Sequence, residues 1–162
     1  MNNSLGKHAP EEPQGRLYDA AFCVIAARFN DAIVSELIAG AVDTLTRYGV
    51  SRSGIDIVRV AGAFELPLAA QKAAASGRYD GLIALGAVIR GGTPHFEYVS
   101  GECMAGLTRV ALDSGIPLGN GVLTVDTVTQ ASDRAGGTEG NKGAEAALAV
   151  IEMVHVVRDF GG

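Results

Sequence analysis

Residues 80–96 read DGLIALGAVIRGGTPHF, and the fold turns on how that stretch is taken. Asp80-Gly81-Leu82-Ile83-Ala84-Leu85 runs into Gly86-Ala87-Val88-Ile89 with almost no polar side chain. An apolar run of this length fits a strand covered on both faces, as in a parallel sheet. Arg90, Gly91, Gly92, Thr93, Pro94 and His95 follow at once. The glycine pair turns the backbone without a Cβ penalty and leaves amides bare. Thr93 then Pro94 is a helix-start signal, with Thr93 as N-cap and Pro94 as the first helical residue. The sequence thus sets a glycine-rich loop, a hydroxyl, a guanidinium and an imidazole between a strand end and a helix mouth. Unpaired amides and the helix dipole attract anions there.

On both sides of this stretch, strands and helices alternate. Tyr18 to Ala27 reads as a first buried strand, ending in Arg28-Phe29-Asn30. Ile33, Val34, Leu37, Ile38, Ala41, Val42, Leu45 and Tyr48 then recur at helical spacing, and Gly49 closes that helix. Ile55 to Val60 is a second strand, followed by Ala61 to Glu65 and a helix through Pro67 to Gly77. Beyond the opening stretch, Phe96, Val99, Cys103, Leu107 and Val110 form a helical stripe. Ile116 to Val125 is a fourth strand whose Gly119, Asn120 and Gly121 imply close approach of another group to the backbone. Asp126 to Ala135 reads as a short helix, Gly136 to Gly140 as a loop and Lys142 to Arg158 as the last helix. Four alternations imply parallel βαβ units with right-handed crossovers and helices on both faces of one sheet. Residues 1–16, polar and containing Pro10 and Pro13, are expected to form a flexible tail that is disordered alone or docks on a partner subunit, and residues 17–162 one domain.

The composition narrows the function classes. At 162 residues the chain is long enough for a substantial core, and 48% hydrophobic against 19% charged residues fits a globular chain. A net charge of -5 with no basic run argues against nucleic acid as a partner. No apolar stretch reaches the roughly 20 residues that span a bilayer, so no membrane partner is expected. The amino-terminal residues lack an apolar signal core, and Cys23 and Cys103 sit in apolar patterns. Both features point to a cytoplasmic protein with two reduced core thiols.

Ligands bind outside the carboxyl ends of strands in open α/β sheets. Phe29 and Asn30, then Ala63, Phe64 and Glu65, then Arg90 to His95 all fall on that edge. Each has a plainer reading beside the functional one. His95 reads equally as a proton-transfer group or as a helix-start residue that caps or packs. Gly92 and Thr93 can hold an oxyanion or form an ordinary turn and cap. Phe29 can stack on a flat ring or pack in the core. Glu65 can accept from a polyol or simply suit the dipole of the next helix. Arg90, Arg134 and Lys142 are phosphate-neutralising candidates or solvent-facing charges. No metal-ligand cluster is present, and no GxGxxG or P-loop pattern follows the first strand. The residues alone indicate a parallel α/β domain whose strand-end edge suits a flat small molecule bearing a phosphate or polyol.

Beyond the residues taken singly, ARFN at 27–30, GAFELP at 62–67, GAVIRGGTPHFEYV at 86–99, NGVLT at 120–124, QASDRAG at 130–136 and NKGAEAA at 141–147 resemble the lumazine synthase family, in its order and spacing. The resemblance runs from about Tyr18 to Arg158. It implies a three-layer α/β/α sandwich with a flavodoxin-like four-stranded parallel sheet. It implies a transferase of riboflavin biosynthesis that joins 5-amino-6-(D-ribitylamino)uracil to L-3,4-dihydroxy-2-butanone 4-phosphate without cofactor or metal. By position, Phe29 would stack on the uracil, and Asn30, Ala63, Phe64 and Glu65 would hold the ribityl chain and nearby ring atoms. Ala87, Val88 and Ile89 would bind the pyrimidine edge through backbone groups. Gly92, Thr93 and Arg134 would hold the phosphate, Lys142 would lie near them, and His95 would shuttle protons. Asn120 falls where many members carry an aromatic residue contributed by the adjacent subunit. The resemblance also implies a homopentamer with sites between subunits, an icosahedral shell of pentamers as a further assembly, and riboflavin synthase as a partner. A lumazine- or flavin-binding carrier, or a shell protein with an inactive site, is the alternative.

Overall fold

The first buried strand is shorter than its apolar run. In the computed structural model, which describes Pro13 and residues 15–162, β1 spans Phe22–Ala27 rather than starting at Tyr18. The residues before it form a turn instead. The Leu17 N–H reaches across to the Tyr48 carbonyl at 2.8 Å, and Leu17 is buried. The expected tail, residues 1–16, lies outside the described residues except for Pro13, Gly15 and Arg16, the last of which donates to the Arg47 carbonyl.

The remaining elements are α1 (Asp31–Arg47), β2 (Ile55–Val60), α2 (Leu66–Ala75), β3 (Gly81–Ile89), α3 (His95–Ser114), β4 (Leu118–Val125), α4 (Val128–Asp133), β5 (Ala135–Gly137), β6 (Gly140–Asn141) and α5 (Lys142–Asp159). Single 3-10 turns precede β2 and α2. β2, β1, β3 and β4 lie in that order in one parallel sheet. The expected α/β/α sandwich with its flavodoxin-like sheet is therefore the fold observed.

Period-two alternation assigns the core. On β1, Phe22, Val24 and Ala26 face the layer of α1, α4 and α5, whereas Cys23 and Ile25 face α2 and α3. Ile83, Leu85 and Ala87 of β3 join the first layer, and Leu82 and Ala84 join the second. The two central strands are thus covered on both sides, which is why they read as unbroken apolar runs. Both cysteines are free and buried, and desolvation pushes the Cys103 thiol up to about 11. Among the described residues, no helix is long and apolar enough to cross a membrane.

Several boundaries move for identifiable reasons. α1 ends as expected: Gly49 lies at φ 97°, its N–H bonds to the Thr46 carbonyl, and the Val50 N–H bonds to the Leu45 carbonyl. These two bonds are the Schellman pattern that satisfies the last carbonyls of a helix. α3 begins at His95, one residue later than expected, with Pro94 flanking it. Thr93 does not cap an orphan amide deep in the first turn; its hydroxyl accepts only from the His95 N–H, at 3.4 Å. β4 begins at Leu118 because the Ile116 N–H is taken by the Ser114 hydroxyl and Pro117 has no N–H to give. α4 begins at Val128, capped by the Thr127 hydroxyl, which accepts from the Gln130 N–H. The segment expected as a loop, residues 136–140, is a small antiparallel hairpin of β5 and β6.

The glycines of β4 admit α5. A Cβ on Gly119 would lie 2.4 Å from the Ala146 carbonyl oxygen. α5 meets α1 just as closely: a Cβ on Gly143 would lie 2.0 Å from the Leu37 carbonyl oxygen. Beside it, buried Asn141 caps α5 by accepting from the Ala144 N–H and donates to the Glu36 carbonyl of α1. Its amide therefore sets where α5, and Lys142 at its first turn, sits against α1. Gly143→Ala should lower stability by about 2 kcal/mol or more, although alanine is the better helix former, because backbone cannot give way. Denaturant titration monitored by far-UV circular dichroism checks this; an unchanged midpoint would mean that the helices slide apart freely.

Candidate functional site

The carboxyl ends of β1, β2 and β3 gather most of the expected residues. After Ala27 the chain runs alongside the end of β2, with the Arg28 N–H on the Val60 carbonyl at 2.7 Å and the Phe29 N–H on the Ala61 carbonyl at 3.0 Å. Arg59 reinforces this junction from β2, donating to the Ala27 carbonyl at 3.1 Å and to the Asp31 carboxylate at 2.7 Å. Asn30 then adopts the left-handed conformation, φ 63° and ψ 46°, and its side-chain amide donates to the Ala87 carbonyl at 2.8 Å. Asparagine tolerates this conformation better than most residues. The reversal leaves the Phe29 ring 72% exposed, so it is not a core aromatic.

β3 supplies an open backbone edge. Its pairing with β1 ends at Leu85, while its pairing with β4 continues to Ile89. The β1-facing edge beyond Leu85 therefore has no strand partner, and Asn30 satisfies one carbonyl of it. Opposite, Ala63, Phe64 and Glu65 form a 3-10 turn, with Phe64 64% exposed. The Glu65 carboxylate accepts from the Gly62 N–H at 3.1 Å, which fixes its side chain beside that turn. A cleft of about 840 Å³ lies between these segments, within the range of small-molecule sites. Phe29, Ala63, Phe64, Glu65, Ala87, Val88, Ile89, Thr93 and His95 all line it, and Gly92 sits in the loop between lining residues Gly91 and Thr93.

His95, at the first residue of α3, is exposed at the mouth of the cleft, and none of the described residues hydrogen-bonds its ring. That arrangement disfavours the capping or packing alternative. The sequence reading missed Tyr98, Val99 and Glu102, which line the same wall. The signal was present: positions 95, 98, 99 and 102 recur at one-face helical spacing from the histidine. Phe96, read as a core stripe residue, also lines the cleft.

Three expected residues are elsewhere. Asn120, Arg134 and Lys142 line a second cavity of about 430 Å³ along β4, with Glu139 and Glu145. Asn120 is engaged locally: its oxygen accepts from the Val122 N–H and its amide contacts the Met104 sulfur at 3.0 Å. Arg134 donates to the Gln130 carbonyl, and Lys142 lies 3.8 Å from Glu145. The expected residues therefore fall in two separate cavities, and the second sets two cations beside two carboxylates. Arg90 is a poor candidate for an anion ligand because Asp126 and Glu97 already hold its guanidinium. The hydrogen bonds it donates to those carboxylates push its pKa further up, and the same bond to Glu97 holds that carboxyl below its usual range. Among the described residues, no group of acidic, histidine or cysteine side chains is placed to hold a metal ion.

Comparison with known proteins gives the same direction. The protein family described as 6,7-dimethyl-8-ribityllumazine synthase matches residues 19–158. A 6,7-dimethyl-8-ribityllumazine synthase of Nitratidesulfovibrio vulgaris (strain DSM 19637 / Miyazaki F) is 59% identical over 139 residues, covering 86% of this chain and 89% of that protein. One from Halorhodospira halophila (strain DSM 244 / SL1) is 57% identical over 144 residues, covering 89% and 92%.

The Asn30 tie has a separable cost. Asn30→Ala should lose about 2 kcal/mol, the hydrogen bond plus the left-handed strain, whereas Asn30→Gly should lose only about half as much. Thermal or denaturant unfolding of the two variants checks this; equal losses would show that the backbone conformation contributes nothing.

Proposed function

Because the chain belongs to the 6,7-dimethyl-8-ribityllumazine synthase family, we propose that the cleft at the ends of β1, β2 and β3 is where it condenses 5-amino-6-(D-ribitylamino)uracil with L-3,4-dihydroxy-2-butanone 4-phosphate. The products are 6,7-dimethyl-8-ribityllumazine, phosphate and water, and the reaction is a transferase step of riboflavin biosynthesis. The observation that carries the assignment to this cleft is the exposed Phe29 ring facing an unpaired β3 edge, with His95 at the mouth.

The pyrimidine lies on Phe29, where ring stacking adds to the area buried. Its amide edge meets the backbone groups of Ala87, Val88 and Ile89 that no neighbouring strand takes. The ribityl hydroxyls run toward Asn30, Ala63, Phe64 and Glu65, the carboxylate being the strong acceptor among them. The phosphate sits at the α3 mouth, near the amides of Gly92 and Thr93, where the helix dipole favours an anion. Amine attack on the ketone, loss of its oxygen as water, phosphate elimination, and ring closure with loss of a second water each move a proton. His95 takes protons from the reacting nitrogen or carbon and returns them to the departing oxygens. Holding the two substrates together supplies a large part of the acceleration.

The cavity of Arg134 and Lys142 finds its use in a neighbour. In the proposed homopentamer, Arg134, Lys142 and Asn120 of one copy close the ring-binding cleft of the next, bringing Arg134 to the phosphate. A head-to-tail ring of this kind places every half-site against its complement. The short hairpin joining α4 to α5 supports a further icosahedral assembly of pentamers. Riboflavin synthase is the proposed consumer of the product, and the two buried free thiols suit a cytoplasmic setting.

Purified protein given both substrates, without metal, should form the lumazine chromophore; tight binding without turnover would contradict the assignment. His95→Ala should lower kcat roughly ten- to a hundred-fold while leaving the positioning contribution. Arg134→Ala should instead raise the KM for the phosphate-bearing substrate, with little change for the pyrimidine. A fully active His95→Ala variant would remove the histidine from the chemistry.

A further inference from the structure

The first turn of α3 carries His95, yet the loop that leads into it is scarcely held. A Cβ placed on Gly91 or Gly92 would meet nothing within 4 Å. Pro94 makes no side-chain cap, and the Glu97 and Tyr98 amides bond only back to the Pro94 carbonyl. One side chain spans the gap. Arg90 follows the last residue of β3, and its own N–H is fixed on the Val125 carbonyl at 2.8 Å. Its Nε donates to Asp126 Oδ1 at 2.8 Å, at the end of β4. Its Nη1 donates to Glu97 Oε1, two residues beyond His95. The guanidinium carbon lies 4.3 Å from the centroid of Phe96, the residue between them, and that ring lines the ring-binding cleft.

We propose that Arg90 is a positioning residue: with Asp126 and Glu97 it clamps the first turn of α3 to the ends of β3 and β4 and so sets where His95 meets the substrates. This rests on the synthase reading of the site and adds a role that the phosphate-ligand alternative for Arg90 excludes. A guanidinium already held by two carboxylates is charge-compensated and offers an incoming phosphate little net attraction. The fork geometry suits bridging of two carboxylates, whereas a lysine presents a single point charge. Glu97, in the first helical turn, is also on the favourable side of the dipole, so breaking the clamp leaves that carboxylate stable but unable to fix the turn.

The clamp is exposed, with Arg90 about half accessible, so its variants should fold. Arg90→Gln should lower kcat roughly ten- to a hundred-fold, as displacement of a reacting group by about an ångström does, with both KM values little changed. Glu97→Gln and Asp126→Asn should lower kcat in the same sense. Combining Arg90→Gln with Asp126→Asn should cost less than the product of the single losses, since one contact is removed twice. Arg90→Lys should recover part of the rate. The rate at which diethyl pyrocarbonate modifies His95, read by peptide mass spectrometry, should change in Arg90→Gln without any substrate present. A raised KM for the phosphate-bearing substrate alone, with Asp126→Asn silent, would overturn the clamp and make Arg90 a ligand. Unchanged kcat and an unchanged modification rate would overturn it equally. Wild-type turnover in the same assay tests the synthase reading separately, because the modification rate decides the clamp whether or not turnover is seen.

Discussion

The hydrogen bond from the Asn30 side chain to the Ala87 carbonyl ties the end of β1 to the open edge of β3 beside the cleft. It exists because β3 runs past the end of β1, leaving carbonyls and amides that a neighbouring strand would otherwise take. A backbone group left unpaired in a half-buried place costs free energy, and Asn30 satisfies one such group while turning the chain into α1. The same reversal expels the Phe29 ring from the core. An aromatic platform and an open peptide edge are thus produced by one strand being longer than its neighbour. The proposed binding of a flat, amide-edged heterocycle uses those two features together.

Much of this was legible in the chain because the physics is local. Unbroken apolar runs in β1 and β3 announced strands covered on both faces, and β2 appears at the residues expected, Ile55–Val60. Gly49 ended α1 as its left-handed geometry requires. Gly119 and Gly121 signalled a close approach, and α5 is what approaches Gly119. What stayed hidden depends on contacts distant in sequence. Nothing in Tyr18-Asp19-Ala20 says that Leu17 binds Tyr48 and that the strand starts only at Phe22. The cleft wall of Tyr98, Val99 and Glu102 was overlooked because Val99 also fits the core stripe, and a helix can show one apolar face to the sheet while its flank lines a site. Arg90 read as a free cation because its two carboxylate partners, Glu97 and Asp126, come from different elements. The family resemblance, not residue spacing, implied the proton-carrier role of His95, and the structure places its exposed imidazole at the cleft.

In the proposed homopentamer, Arg134 and Lys142 of one copy supply what the cleft of the next lacks. They are set on the far side of β3, on the α4–α5 connection, with α5 locked to α1 through Asn141 and the bare Gly143 contact. The rigidity of that contact matters for a composite site, since a cation supplied from another copy must arrive at a fixed place. Under that proposal, packing on the α1 and α5 side of the sheet bears on chemistry at the opposite flank. Strain or loosening there should be felt as poorer phosphate handling rather than as loss of ring binding.

The most direct test of the composite site is complementation by mixing. Two inactive variants are needed, one with the ring-binding half disabled at His95 and Phe29, the other with the cationic half disabled at Arg134 and Lys142. Dissociated and reassembled together in equal amounts, they should regain activity toward about a quarter of the wild-type level, because that fraction of head-to-tail junctions pairs two intact halves. Reassembled mixtures that stay as inactive as either variant alone would contradict a site shared between copies and return Arg134 and Lys142 to ordinary surface charges.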